Sequence, residues 1–279
     1  MADECIHGFD DGLCAICFPP PAPEPKAAPV KAARLPRASL REPAPAPAAP
    51  RTAGRSARAD APSVDVRTLR AYHVTHLDNL ARILGAGGLL ADAGDPPASP
   101  VVDIAAPAVR DYRRNVELAG TDRAIASYVP FFLSTDALLW ESVRSGEPDP
   151  RLVADDRATA EFVLLVTTVA KAAGARAAQP GALAVADVDA ALPGAQVAVD
   201  QEPVERMLRI LTREADRARL HTAELLVADG VPLERIDLIA VANDRVRDRV
   251  RQALAAVGAK TRVAVYPPWF QAEGGAAGD

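Results

Sequence analysis

The chain has 279 residues, 49% of them apolar, with 25 Pro, 28 Arg against 4 Lys, and a formal charge of −5. That is enough to bury a sizeable core. No stretch reaches the roughly 18 consecutive apolar residues of a membrane span, and the acidic start Met-Ala-Asp-Glu-Cys lacks the basic region of a secretory signal, so a soluble, cytoplasmic protein is expected.

All three cysteines fall within the first 17 residues. Cys5, His7, Cys14 and Cys17 form a C-x-H-x6-C-x2-C set, a donor group suited to tetrahedral zinc; with all four positions filled by protein the metal would be structural. Unmetallated thiols or a redox pair are the competing reading. Residues 1–18 are thus read as a zinc knuckle. Residues 19–64 are mainly Pro, Ala and Arg, with too few large apolar side chains to offset the entropy of ordering them, and are expected to be a disordered linker. Between Lys26 and Arg58 the linker carries eight basic residues against the single acid Glu42, which suits either a phosphate backbone or a solvated spacer. Residues 65–272 are the expected folded domain, and 273–279 a disordered tail.

In that domain 71–75 reads as a strand. Leu77, Leu80, Ile83 and Leu84 then recur at helical spacing until Gly87 and Gly88 end the pattern. Further strands are predicted at 129–133, 162–167, 182–186, 224–227, 238–241 and 263–266, and helices over 106–117, 136–145, 203–217 and 244–257. Without a repeating βαβ period, the order favours α+β over a doubly wound sheet.

Several residues in these elements can carry chemistry. His73 and Thr75 share one face of a strand of period two; together they can hold a ribose hydroxyl and a neighbouring amide, or His73 can be a core histidine bonded to a carbonyl. Asn79 stands at a helix N-terminus, a favourable place for an anion or diphosphate, and His76 is placed to cap that helix. Glu224 opens an apolar run, and Glu161 is its rival, since both close a Thr-Ala-Glu triplet before a strand. Tyr128, Phe131 and Phe132 are candidates for base stacking or for the core.

Five segments then resemble one family, in its order: Tyr-His-Val-Thr-His-Leu-Asp-Asn-Leu-Ala-Arg-Ile-Leu, Ser-Tyr-Val-Pro-Phe-Phe-Leu, Ala-Val-Ala-Asp-Val-Asp-Ala-Ala, Ala-Glu-Leu-Leu-Val followed by Gly-Val-Pro-Leu-Glu-Arg-Ile, and Pro-Pro-Trp-Phe. The family is DarT, toxin-type mono-ADP-ribosyltransferases that use NAD to modify bases of single-stranded DNA. The resemblance spans roughly residues 68–271.

It implies an ADP-ribosyltransferase-like split mixed sheet with flanking helices, NAD as co-substrate contacted by His73, Thr75 and Asn79, and Glu224 as the catalytic carboxylate. It also implies an arginine facing the site from the segment Ala-Val-Arg-Asp-Tyr-Arg-Arg-Asn-Val. Arg113 is the choice, with Arg110 and Arg114 as alternatives. Asp187 matches the family's aspartate of the middle segment, as a turn or a site residue. A macrodomain-type antitoxin is the implied partner. Two departures border the expected target nucleotide: Thr222 stands where similar members carry Gln, and Ser-Thr-Asp-Ala-Leu-Leu-Trp at 134–140 replaces an Arg-Ser-Pro-Met stretch. They keep two other readings open, transfer to RNA or protein and a non-catalytic, zinc-containing nucleic-acid-binding adaptor.

Overall fold

The structure is a computed structural model and describes residues 64–153 and 157–272. The expected zinc knuckle at 1–18, the linker up to residue 63 and the tail at 273–279 lie outside the described residues.

In chain order the elements are β1 (Arg70–His76), α1 (Leu80–Gly85), β2 (Gly88–Leu90), α2 (Pro107–Asn115), β3 (Tyr128–Phe132), α3 (Leu138–Ser145), β4 (Phe162–Thr168), α4 (Val169–Ala173), β5 (Leu183–Ala186), β6 (Val197–Val199), α5 (Gln201–Leu211), β7 (Glu224–Ala228), β8 (Gly230–Pro232), β9 (Leu238–Val241), α6 (Asp244–Ala256) and β10 (Arg262–Val265). Eight strands form one sheet in the order β10-β9-β4-β1-β3-β7-β5-β6. The β9/β10 pair is parallel and the other pairs are antiparallel, so the sheet is mixed and the fold is α+β. No helix among the described residues is long and apolar enough to cross a membrane.

The longer elements follow from their side chains. The first six residues of β4, Phe-Val-Leu-Leu-Val-Thr, are all buried, because this central strand is covered on both faces. In α6 the Asn243 carboxamide accepts from the Val246 N–H at 3.0 Å and caps the helix. Val246, Val250 and Leu254 then form its inward stripe. The helix predicted over 203–217 instead ends at Leu211: the Thr212 hydroxyl donates back to the Leu208 carbonyl at 2.9 Å, and the chain continues as 3-10 turns over Glu214–His221. The three-residue strands β2, β6 and β8 were not predicted, being too short to carry a period. At β2, Gly88 has φ +157°, and an added Cβ would sit 2.3 Å from the Val231 carbonyl oxygen; glycine is what allows β8 so close.

One face of the sheet, bearing Val129, Phe131, Leu165, Leu225 and Ile239, packs on α1, α4, α5 and α6. The opposite face is covered in two patches. Tyr72, Leu164 and Val166 pack under Trp140 of α3 and Phe270 of the last turn, while Ala184, Ala186 and Leu226 pack under Leu118 and Ile125. Between the patches the sheet splits. β1 pairs with β4 at seven register positions but with β3 at Tyr72↔Phe132 alone, and Pro130, which has no N–H to donate, lies in the part of β3 that leaves β1.

Candidate active site

The split opens a cavity of about 370 Å³, lined by β1 from His73 to His76, by Tyr128 and Pro130 of β3, by Asn79, and by Arg110 and Arg113 of α2. This lies in the range of small-molecule sites, roughly 300–1,000 Å³.

His73 Nδ1 lies 2.9 Å from the Pro130 carbonyl. A carbonyl only accepts, so Nδ1 carries the proton and Nε2 is left as an acceptor. Burial lowers the imidazole pKa against the opposing pull of that hydrogen bond, so the ring is neutral near pH 7. His73 is thus bonded to a carbonyl, as a core histidine is, and it also lines the cavity.

Asn79 plays a different part from the one its sequence position suggests. Its amide nitrogen donates to Thr75 Oγ1 at 3.0 Å and to the Val102 carbonyl at 2.7 Å, and its oxygen accepts from the N–H groups of Val101 and Val102 at 2.7 and 2.8 Å. With every donor and acceptor engaged, it pins the 99–103 wall of the cavity and orients Thr75. Asn79→Ala is expected to leave several of these buried groups unpaired and to destabilise the protein by about 2–3 kcal/mol, measured by denaturant unfolding. An unchanged unfolding midpoint would mean that water replaces the amide at no cost. His76 caps the following turn, accepting from the Asp78 N–H at 3.2 Å.

Glu224 begins β7, in register with Phe132 of β3 and Ala186 of β5, and its side chain is 9% exposed. Arg113 reaches it from α2, with Nη2 3.0 Å from Oε1, and the Ala190 N–H donates to Oε2 at 3.0 Å. Burial pushes the Glu224 carboxyl above its usual range, with Arg113 pulling it back. Burial equally opposes the Arg113 charge, but Glu224 and Asp189 more than offset this and keep it protonated.

Geometry separates the three arginines of α2. Arg110 is held by Asp92 and Asp103. Arg114 is 44% exposed and pairs with Asp92 at 3.0 Å. Of the three, Arg113 is the one against Glu224.

The residue that sequence reading passed over is Asp189. It accepts from Arg113 Nη1 at 3.1 Å, lies 3.7 Å from Arg151 Nη1, and caps the turn at Ala191 at 2.9 Å. Arg151 is in turn forked onto Asp149 at 2.9 and 2.6 Å, which holds Asp149 down to about 2. Glu224, Arg113, Asp189, Arg151 and Asp149 thus alternate in sign. Asp187 is occupied elsewhere, accepting from the Gln196 N–H at 2.9 Å and from Arg219 at 2.9 Å, as a turn residue does. The period of two in Asp-Val-Asp could have flagged Asp189; which aspartate met Arg113 depended on the loop after β5.

Glu161 is half exposed, 3.7 Å from His76, and joins neither Arg113 nor Asp189. Among the aromatic candidates, Phe131 is core at 1% exposure. Tyr128 lines the cavity while donating its hydroxyl to the Gly181 carbonyl at 2.9 Å. Phe132 is half-buried beside Glu224. No cluster of His, Cys, Asp and Glu fit to hold a metal ion occurs among the described residues.

A family model described as ssDNA thymidine ADP-ribosyltransferase, DarT, matches residues 72–271. Among solved structures, Thermus sp. 2.9 DarT in complex with ADP-ribosylated ssDNA is similar at 22% identity and TM-score 0.58, over 73% of this chain and 96% of that one. The same protein in complex with NAD+ is similar at 22% identity and TM-score 0.57, over 73% and 98% of the two chains. Its complex with carba-NAD+ gives 24% identity and TM-score 0.55 over the same shares. These likenesses establish the fold. No curated protein matches the chain.

Proposed function

The chain belongs to the DarT family of ssDNA thymidine ADP-ribosyltransferases, and from that premise we propose that it cleaves NAD in the split of its sheet and transfers ADP-ribose to thymidine in single-stranded DNA. The observation that carries this reading is the Arg113 guanidinium bridging buried Glu224 and half-buried Asp189 at a cavity that His73 and Thr75 also line.

NAD binds along β1, where neutral His73 offers Nε2 as an acceptor and Thr75, steadied by Asn79, offers its hydroxyl. As the bond from C1′ of the ribose to nicotinamide breaks, its electron pair leaves with nicotinamide and positive charge grows on the sugar. A fixed, desolvated carboxylate opposes that charge without reorganisation; Glu224 has this role. In thymidine N1 is bonded to the sugar, so N3 is the ring nitrogen able to attack C1′, and its proton is released to water as the new bond forms. N3 lies on the pairing edge, which is free in a single strand. Arg113 favours the ionised form of Glu224 against the effect of burial, and the guanidinium N–H groups not engaged by Glu224 and Asp189 serve the incoming base or the diphosphate. Incubating thymidine-containing and thymidine-free single strands with labelled NAD tests the assignment.

A second reading, transfer to RNA or protein, rests on Thr222. Its hydroxyl lies 3.0 Å from both the Asp187 and the Arg219 carbonyls; with one proton already engaged there, it cannot present to a base edge what a Gln amide would. A macrodomain-type antitoxin is proposed on the family resemblance alone.

Zinc at Cys5, His7, Cys14 and Cys17 is proposed on the spacing of the ligands. Purified protein is expected to hold about one zinc per chain, lost in Cys14→Ser or Cys17→Ser, because one turn supplies two of the four ligands. Elemental analysis finding no zinc in protein prepared without chelator would remove the knuckle.

A further inference from the structure

A single register runs across the sheet from Glu224. Glu224 stands opposite Phe132, Phe132 opposite Tyr72, Tyr72 opposite Val166, Val166 opposite Leu238, and Leu238 opposite Arg262. Partners in register point to the same face of a sheet, so the row continues the face on which Glu224 meets Arg113. At about 4.8 Å per strand, the five steps carry it roughly 24 Å from the carboxylate.

Aromatic rings border this row. Trp269 meets Tyr72 edge-on with ring centroids 5.6 Å apart, and Tyr266 stacks on Trp269 at 4.4 Å with 9° between the planes. Trp140 Nε1 donates to the Trp269 carbonyl at 2.7 Å and fixes the turn that carries the stack. Tyr72 is buried, but Phe132, Tyr266 and Trp269 are only half-buried, so the layer reaches the surface. Arg70, whose charge acts on the Tyr72 phenol, and Arg262 are exposed beside it. Asp136 approaches Tyr72 as well and repels phosphate, which keeps a nucleic-acid backbone on the arginine side.

We propose that the exposed margin of this row, outside the part covered by Trp140 and Phe270, is the track for the strand flanking the modified nucleotide: bases beside the target stack on Phe132 and on the Tyr266–Trp269 pair, while phosphates lie against Arg70 and Arg262. Aromatic faces interleaved with cations are how single strands are gripped without a demand for sequence, and here the grip is continuous with the carboxylate that acts on the target. A chain with a net charge of −5 draws a polyanion only through such local concentrations of positive charge. The track rests on the single-stranded DNA reading above. Its length corresponds to about seven stacked nucleotides at roughly 3.4 Å each, fewer if the strand is stretched.

The test compares transfer to a thymidine-containing trinucleotide and to an oligonucleotide of about twelve nucleotides, longer than the track. It uses the full-length protein, the charge-reversed double variant Arg70→Glu with Arg262→Glu, and Tyr266→Ala, with melting temperature and NAD binding measured for each. In the wild type the apparent KM is expected to fall about tenfold from short to long substrate. The double variant loses that gain and shows a flatter salt dependence, by about two released counterions. Tyr266→Ala loses about fivefold on the long substrate, one base stack, with its salt slope unchanged. Turnover of the trinucleotide stays the same in all three. Equal losses on short and long substrates, or no loss on either, overturn the track. A wild type that turns over NAD yet modifies no DNA of any length overturns the acceptor reading itself, and the wild-type arm alone reveals this.

Discussion

Glu224→Gln is expected to lower ADP-ribose transfer at least about 10²-fold, the scale of removing one preorganised electrostatic group from a transition state, while NAD binding and the melting temperature change little. The amide keeps the shape of the side chain and can still accept from the Ala190 N–H, which lies 3.0 Å from Oε2. What it loses is the charge proposed to face the developing ribosyl cation. Burial magnifies the loss, because no water stands ready to replace that charge at a side chain 9% exposed. Glu161→Gln, at a half-exposed residue 3.7 Å from His76, should keep activity within about twofold of the wild type, as a surface substitution does. An inactive Glu161→Gln beside an active Glu224→Gln would move the catalytic role to the other Thr-Ala-Glu triplet.

Arg113→Gln is expected to do more damage, to the fold as well as to the reaction. It leaves buried Glu224 and half-buried Asp189 without the guanidinium that bridges them at 3.0 and 3.1 Å, and breaking a buried ion pair from one side costs about 3–5 kcal/mol. The pH dependence follows from the directions of the shifts. Burial already raises the Glu224 pKa and Arg113 opposes that rise, so removing Arg113 raises it further. An acid whose pKa is higher in the folded than in the unfolded state contributes stability at low pH that is lost as pH climbs through the folded value. The variant should therefore be most nearly normal in acid and lose ground toward neutrality. Activity is expected to run the other way, because the role proposed for Glu224 needs the carboxylate. The acid limb of the wild-type pH profile should lie above the usual carboxylate range, and that of Arg113→Lys, which keeps the charge but not the bidentate fork, should lie higher still. Unfolding curves and pH–rate profiles measured together check both signs; a stability deficit that grows on acidification would contradict the assignment.

The strands were legible in the sequence where burial is continuous, as in Phe-Val-Leu-Leu-Val of β4, or where a breaker marks the end, as at Gly87 and Gly88 after α1. Local pattern could not reveal the break between β1 and β3. Pro130 reads as one proline in an apolar run, and its carbonyl becomes the partner of His73, 57 residues away, only when the sheet assembles. The same limit applies within the site. Glu224 and Arg113 are singled out by residue type and family order, and the structure brings them to 3.0 Å. Asp189 was passed over for its neighbour two residues earlier, because which of the two turns toward α2 is decided by loop geometry. Asn79 was recognised as important for its place at the start of a helix, yet its partners at Val101 and Val102 lie more than twenty residues on, where no local pattern points.

Transfer of ADP-ribose from NAD to thymidine in single-stranded DNA would be read directly by intact-mass analysis of the acceptor. Matched oligonucleotides with and without thymidine, single-stranded and duplex, are incubated with NAD and either the wild type or Glu224→Gln, beside an RNA of the same sequence and a protein mixture. One added ADP-ribose is expected on the thymidine-containing single strand alone, with nicotinamide released in equal amount and no adduct with Glu224→Gln. Adducts on RNA or protein with none on DNA, or on the thymidine-free strand as readily as on its partner, would contradict it.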